Sequence, residues 1–333
     1  MMKTALCSTL GIDIPIIQAP IGSASGPELT GAVSNAGGLG TLALSWTPAE
    51  HVTGRINAVR ALSKKPFAVN LALAWPQEER LGICLGEQVP IVSTFWGDPS
   101  PYAHAIASSG AIHIHTVGSA EEARRAVDLG VDVIVAQGWE AGGHVWGQVT
   151  TMALVPRVVD AVNPVPVVAA GGISDGRGII AALALGASGV WLGTRFLLAE
   201  EARAHPAYRE KLAAADETST VYSEVFDVGW PGAPHRTLRN STIEQWDRAG
   251  RPKAPHRPGE GEVVARGRSG DVVRYSDMPP LADMEGDTEA LATYAGQGVG
   301  LVREVKPAAV IMTELLLEAR EVAARLSSES ATN

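Results

Sequence analysis

Cysteine, clustered metal ligands, long apolar runs and surplus positive charge are all scarce in this chain. Its 333 residues include two cysteines, Cys7 and Cys84, with no metal-ligand spacing between them. A disulfide framework is thereby excluded, and a reducing compartment fits. Lys and Arg total 27 against 36 Asp and Glu, a net charge of -9, which argues against nucleic acid and anionic membrane surfaces as partners. Every apolar stretch is broken by Gly, Pro or charge before membrane-spanning length. The opening MMKTALCSTLGIDIP has one lysine and no continuous apolar centre, so no signal peptide is expected and a cytoplasmic location is. There is no H-E-x-x-H and no Cys/His cluster, so no metal site is expected. No G-x-G-x-x-G follows the first strand-like run, which speaks against a doubly wound dinucleotide fold.

What the chain does have is a repeat of strand-like apolar runs alternating with helix-like segments. The runs are Ile14–Pro20, Leu39–Leu44, Phe67–Leu73, Ile91–Trp96, Ala111–Val117, Val131–Gln137, Val165–Ala170 and Gly189–Phe196. Helix starts lie between them, including Ser119 with Glu122 three residues on and Asp175 before GRGIIAALALG. Eight such repeats with near-continuous apolar strands predict an α/β fold, a (β/α)8 TIM barrel, over residues 1–215. From 216 to 300 the periodicity fades into Pro, Gly and charge, with Trp230, Trp246, Tyr222, Phe226 and Tyr294 scattered through it. This composition predicts a smaller irregular domain covering the C-terminal face of the barrel. Residues 301–333 carry a strongly helical segment, Pro307 to Leu326, expected to pack back on the barrel.

In such a barrel, chemistry collects where strands end. The stretch VDVIVAQGWEAGGHVWG, from Val131 to Gly147, begins as a buried strand and runs into Gln137, Glu140, Gly142-Gly143 and His144. Paired glycines let backbone approach a ligand and free its N–H groups. His144 is the candidate for proton transfer near neutral pH. After the seventh run come Gly171-Gly172, and after the eighth Gly193-Thr194, the places where barrels hold a phosphate on backbone N–H groups. No lysine stands beside them, which suggests a bound cofactor rather than a transferred phosphoryl group.

Several residues keep two readings at this level. Glu140 either orients His144 or takes part in catalysis. His113 and His115 share one strand face, from which one could reach a cofactor. Asp175 is expected to cap a helix. Trp46, Trp75, Trp96 and Trp139 fall at strand ends, either as a packed rim or as an aromatic wall that selects flat or small apolar substrates, with Trp75 and Trp139 singled out. His205, His235 and His256 lie beside prolines in segments expected to be exposed. The basic run Arg248–Arg268 is interleaved with Glu and Pro and reads as a solvated loop.

The segments QAPIGSASGPELTGAVSNAGGLGTL, VNL, AQGWEAGGHVWG, VVAAGGISDGRGIIAALALGASGVWLGTRFL and YAGQGVGLV together resemble the nitronate monooxygenase family, formerly 2-nitropropane dioxygenases. The resemblance implies one non-covalent FMN on a TIM barrel. By it, Gly171, Gly172, Gly193 and Thr194 would hold the phosphate. Pro20, Ile21, Asn70, Gln137, Gly142 and Gly143 would line the ring and ribityl chain, with Gln297 a further candidate, and His144 matches the active-site histidine. The chain departs from the family pattern at Val145-Trp146-Gly147, where Arg-Gly often follows the histidine. It also departs at His115 or Thr116, where some members carry Lys, and at Trp191, where some carry Gln. The implied reaction is oxidation of alkyl nitronates or nitroalkanes by O2 to a carbonyl compound and nitrite through a flavin semiquinone, with His144 as base or anion-binding residue. An FMN-dependent NAD(P)H oxidoreductase acting on a quinone or enoyl thioester is the alternative. A non-catalytic flavin-binding barrel is the third reading. Expected partners are a small-molecule substrate and O2, or NAD(P)H in the alternative, and a homodimer is compatible with the sequence.

Overall fold

The computed structural model describes residues 3–331. In chain order its strands begin with β1 (Ile16–Gln18), β2 (Gly40–Ala43), β3 (Phe67–Ala72), β4 (Ile91–Phe95), β5 (Ile112–Val117) and β6 (Val133–Gln137). A two-residue strand β7 (Gly143–His144) follows, then β8 (Val167–Ala170) and β9 (Gly189–Leu192). All of these except β7 form one parallel sheet in the order β1-β9-β8-β6-β5-β4-β3-β2. A parallel bridge from Ile17 to Leu39 joins its two edges and closes the barrel. The eight apolar runs of the sequence are thus eight barrel strands, each somewhat shorter than its run.

The helices, interleaved with these strands, are α1 (Ala5–Leu10), α2 (Pro27–Asn35), α3 (Ala49–Leu62), α4 (Glu78–Gly86), α5 (Ser100–Ser109), α6 (Ala120–Asp128), α7 (Thr151–Val162) and α8 (Gly176–Ala184). Of these, α2 to α8 follow the first seven barrel strands. A single turn, α9 (Thr194–Leu197), and α10 (Pro206–Ala214) follow the eighth. Inside the barrel Ile17, Ala68, Ile91, Ile114, Val133 and Val168 pack on one another and on Leu6, Cys7 and Leu10 of α1. That helix plugs the barrel, because an open end would leave these side chains in water. The caps work as their residue types require. Ser119 Oγ accepts from Glu122 N at 3.2 Å, and Asp175 accepts from Arg177 N and Gly178 N at 3.0 and 3.1 Å. Glu122 reaches one residue further back than a capping box would take it, to the N–H of Gly118 at 2.7 Å.

Past the barrel, β10 (Thr220–Ser223) and β11 (His235–Leu238) pair antiparallel, and β7 is the third strand of their sheet. In register, His235 faces His144 and Arg236 faces Gly143. After α11 (Ser241–Arg248) come β12 (Val263–Gly267), β13 (Gly270–Val273) and β14 (Glu285–Gly286), a second small antiparallel sheet. Val225, Phe226, Ile243, Tyr275 and Ala292 form a small core of this region.

Two expectations are corrected here. His235 is fully buried rather than exposed. The basic run Arg248–Arg268 is not simply a solvated loop, since it contains β12 and buries Arg257. That guanidinium sits 4.1 Å over the Tyr275 ring and bonds Asp227 and Glu260. A charge this buried survives only with carboxylate partners on hand.

Helix α12 (Ala308–Ala331) returns to the barrel and packs on α8 and α2. Its Ile311, Met312, Leu315 and Ala319 join the barrel's outer core. Contact with α8 is close enough that a Cβ on Gly176 would lie 2.2 Å from Ala319 N. Among the described residues no helix is long and apolar enough to cross a membrane.

Candidate functional site

The C-terminal strand ends open into a cavity of about 300 Å³. The barrel supplies Pro20, Ile21, Asn70, Thr116, Gln137, Gly171 to Ser174, Trp191, Gly193 and Thr194 to its wall, and the β6 loop supplies Gly142, Gly143 and His144. From beyond the barrel come Trp230, Asp277, Met278, Pro279, Tyr294, Gly296 and Gly298. Eleven residues singled out in the sequence for cofactor or catalysis therefore meet at one cavity. Three do not line it: Gln297, Trp75 and Trp139. The backbone N–H of Gln297 bonds Glu140 O at 2.9 Å, and the glycines on either side of it face the cavity instead.

The glycines are there for close approach. A Cβ on Gly142 would lie 2.3 Å from Gly296 N and 2.4 Å from Ala295 C, so the β6 loop and the segment Tyr294–Gly298 touch backbone to backbone. Gly171 and Gly172 have φ of 102° and 71°, values that L side chains rarely adopt. Neither the Gly172 nor the Ile173 N–H donates to any other described residue. Thr194 Oγ1 accepts from Gly296 N at 3.0 Å, which leaves its own proton for a ligand. This end of the cavity thus offers hydrogen-bond donors and no competing cation. Asn70 is fixed by donating to Ser93 Oγ at 3.1 Å. Gln137 is held at both ends by the loop it precedes, donating to His144 O at 3.1 Å and accepting from Trp146 N at 2.9 Å.

His144 lies against Trp230, ring centroids 4.0 Å apart and planes 30° apart, with Tyr294 at 5.5 Å and Trp96 at 5.7 Å. Neither imidazole nitrogen has a hydrogen-bond partner among the described residues. Nε2 is enclosed by protein, while Nδ1 remains accessible. Burial, with a smaller contribution from His235, holds the His144 pKa well below its ordinary value. The ring is therefore neutral, an available base rather than a standing cation. That direction favours the base reading of His144 over the anion-binding one. His235 is neutral for the same reason, its pKa lowered to about 4 by burial. Its tautomer is set by donation from Nδ1 to Ala233 O at 2.9 Å and acceptance at Nε2 from Phe226 N at 3.2 Å.

An aromatic cluster exists, with a membership different from the expected one. Trp46, Trp75, Trp96, Trp146 and Trp230 form a chain of ring contacts, with Trp46 and Trp230 lining the cavity. Trp75 backs Trp230 at 4.6 Å rather than facing the cavity. Trp139 lies away from the cavity, its ring tilted against Tyr222 at 5.3 Å, with the Arg236 guanidinium 4.3 Å over it. That cation–π contact explains its place better than a pocket role does.

Glu140 is also corrected. Its carboxylate accepts from Thr151 N at 2.9 Å and Thr151 Oγ1 at 3.0 Å, so it holds the start of α7 and makes no bond to His144. His113 and His115 do share a face, but not the cavity face. Thr94 Oγ1 stands 2.8 Å from a ring nitrogen of each, and burial lowers their pKa values to about 3 and 4. Among the cavity residues not singled out for the site are Trp230, Tyr208, Ser174, Tyr294 and Asp277. Ser174 and Tyr294 sit inside the motifs AAGGIS and YAGQG, which was the available signal. Asp277 had none. Its carboxylate receives no hydrogen bond from another described residue, and burial pushes its pKa up to about 6.

Residues 3–81 and 74–318 match the model of the nitronate monooxygenase family. A Mycobacterium tuberculosis protein named (3aS,4S,5R,7aS)-5-hydroxy-7a-methyl-1-oxo-octahydro-1H-indene-4-carboxyl-CoA dehydrogenase is 31% identical over 96% of this chain and 96% of its own. A Pseudomonas aeruginosa nitronate monooxygenase is 35% identical over 93% of this chain and 97% of its own. The structure of FabK from Thermotoga maritima superposes with a TM-score of 0.82 at 32% identity, covering 98% of this chain and 99% of that one. The family model spans most of the chain, and these relatives match it nearly end to end. This chain belongs to the nitronate monooxygenase family and is a flavin-dependent oxidoreductase built on a (β/α)8 barrel.

Proposed function

We propose that this protein binds FMN and oxidises an uncharged carbon acid, a neutral nitroalkane first of all, with O2 as acceptor and His144 as the base. The observation that carries the reading is the pairing of an unpartnered, neutral imidazole with a cavity whose lining contains no Lys or Arg. A preformed nitronate anion would enter such a cavity without a counter-charge, at a desolvation cost a neutral nitroalkane avoids.

The residues present fit FMN. Gly171, Gly172, Gly193 and Thr194 would hold its phosphate, using the unpaired N–H groups and the Thr194 hydroxyl. Pro20, Ile21, Asn70, Gln137, Gly142 and Gly143 would lie along the ring and ribityl chain. When bound, FMN supplies the electron transfer between substrate and O2. The protein's own part is to position the substrate and handle its proton. Accessible Nδ1 of His144 takes the α-proton, and the Trp230 face keeps the ring oriented. Trp230 and Trp96 cover part of the imidazole, and burial disfavours its charged form until the proton arrives. Products are a carbonyl compound and nitrite.

A second reading is favoured by a particular finding: the 31% identity over nearly the whole chain to a protein whose name is that of a CoA-thioester dehydrogenase. A carbon beside a thioester carbonyl is also an uncharged carbon acid, and the same His144 would serve it. Anaerobic mixing of the FMN-loaded protein separates the readings. Flavin bleaching by nitroethane with no response to NADH or NADPH supports nitroalkane oxidation. Rapid two-electron bleaching by NADH or NADPH with none by nitroethane would overturn it in favour of the alternative.

A further inference from the structure

Asp277 is a partly buried carboxylate, open to the cavity, for which the proposed reaction has no use. It stands in the segment after β13, where its backbone is fixed on two sides: Asp277 N donates to Val228 O at 3.0 Å, and Tyr294 OH donates to Asp277 O at 2.7 Å. Its side chain lies against the backbone of Gly229, close enough that a Cβ there would be 2.3 Å from Oδ1. No donor from another described residue reaches the carboxylate, and it lines the cavity. The phosphate-type donors cluster at Gly171–Ser174, whereas Asp277 shares its neighbours with His144. Trp230 stacks on the imidazole and adjoins the Gly229 that the carboxylate touches. Tyr294 lies 5.5 Å from the imidazole and bonds the Asp277 carbonyl. Asp277 thus belongs to the His144 end of the cavity.

From this geometry we infer that Asp277 is a specificity-determining residue that accepts a hydrogen bond from a hydroxyl or ammonium group on the substrate, remote from the carbon that His144 deprotonates. The inference rests on the reading of His144 as the substrate end of the cavity. A carboxylate that is partly desolvated, has no protein donor and faces the cavity gains from a ligand donor that takes the place of cavity water. The same carboxylate, with no cation lining the cavity, repels substrates that carry a second carboxylate. Tyr208, Tyr294 and His144 are the other titratable groups lining the cavity. The first two stay protonated because burial raises their pKa values well above 10, and His144 stays neutral. Across pH 5 to 8 the charge at this end of the cavity is therefore set by Asp277.

The test is a binding titration, which does not depend on turnover. FMN-loaded protein is titrated with benzylamine, benzyl alcohol and benzoate, following the flavin absorbance difference, at pH 8 and pH 5. At pH 8 benzylamine should bind at least about tenfold more tightly than benzoate, the range of one charge-assisted hydrogen bond, with benzyl alcohol between them. Asp277→Asn should erase the preference at pH 8. Wild type should lose most of it at pH 5, an arm that needs no variant to fold. Equal binding of benzylamine and benzoate by wild type at pH 8, or a preference that survives in Asp277→Asn, overturns the inference. A preference that behaves as described in a protein inert towards nitroalkanes would refute the proposed reaction and leave the role of Asp277 standing.

Discussion

Replacing Gly142 with alanine tests how the β6 loop and the segment Tyr294–Gly298 are joined. The added methyl would sit 2.3 Å from Gly296 N, 2.4 Å from Ala295 C and 2.9 Å from Ala295 Cα. All three are backbone atoms, so no side chain can swing aside. Ordinary contact at about 3.4 Å or more requires the two segments to part by roughly 1 Å, and overpacking of this kind costs about 1–3 kcal/mol. The displaced segment carries Gly296, whose N–H bonds Thr194 Oγ1, so the proposed phosphate cradle loosens with it. If most of the cost falls on the closed cavity, FMN affinity drops by about ten- to a hundredfold. Gly143→Ala is the comparison: nothing lies within 4 Å of its Cβ, and the cost is only that of φ at 73°, about 1–2 kcal/mol. Gly54→Ala, on the exposed face of α3 with open space around it, should be neutral or stabilising by up to about 1 kcal/mol. FMN affinity is read by quenching of flavin fluorescence on titration into apoprotein, and stability by thermal melts. Gly142→Ala protein that binds FMN within threefold of wild type would refute the close-approach argument.

Two further outcomes follow from the same geometry. Glu140→Ala removes the charged acceptor from the start of α7, and should cost about 1–3 kcal/mol in thermal or urea unfolding. An unchanged midpoint would show that Thr151 finds another acceptor. His235 has its pKa lowered to about 4 against an unfolded value near 6.5, so between those values the unfolded chain binds more protons. Its stabilisation is complete above about pH 6.5 and lost as pH falls towards 4, by up to about 3 kcal/mol. His235→Gln should flatten the fall in melting temperature between pH 7 and 4.5, and a slope identical to wild type would remove His235 from the acid response.

The barrel was legible because each strand is buried on both faces, which forces an apolar run into the sequence, and because cap residues such as Ser119 and Asp175 act on neighbours two or three positions away. Glycine pairs were legible for a related reason, since a backbone that must approach another backbone admits no other residue. The region beyond the barrel hides its order because its partners are remote. His235 is buried by pairing with His144, ninety-one positions earlier, through a strand of only two residues. Arg257 is buried because Asp227 and Glu260 meet it there, and charge in a sequence does not announce its partner. Trp139 and Trp75 illustrate the same limit: each stands just past a strand end, but Arg236 and Trp230 decide where each ring lies. The lone carboxylate of Asp277 becomes visible only when the cavity around it is assembled.

The most direct test of the central claim uses His144→Asn on FMN-loaded protein, comparing kcat/KM for nitroethane with that for preformed ethylnitronate. If His144 takes the α-proton of an uncharged substrate, the variant stays yellow and loses at least about a hundredfold towards nitroethane, the scale of a positioned base, while ethylnitronate falls far less. Equal losses on both substrates, or none on nitroethane, would contradict the account.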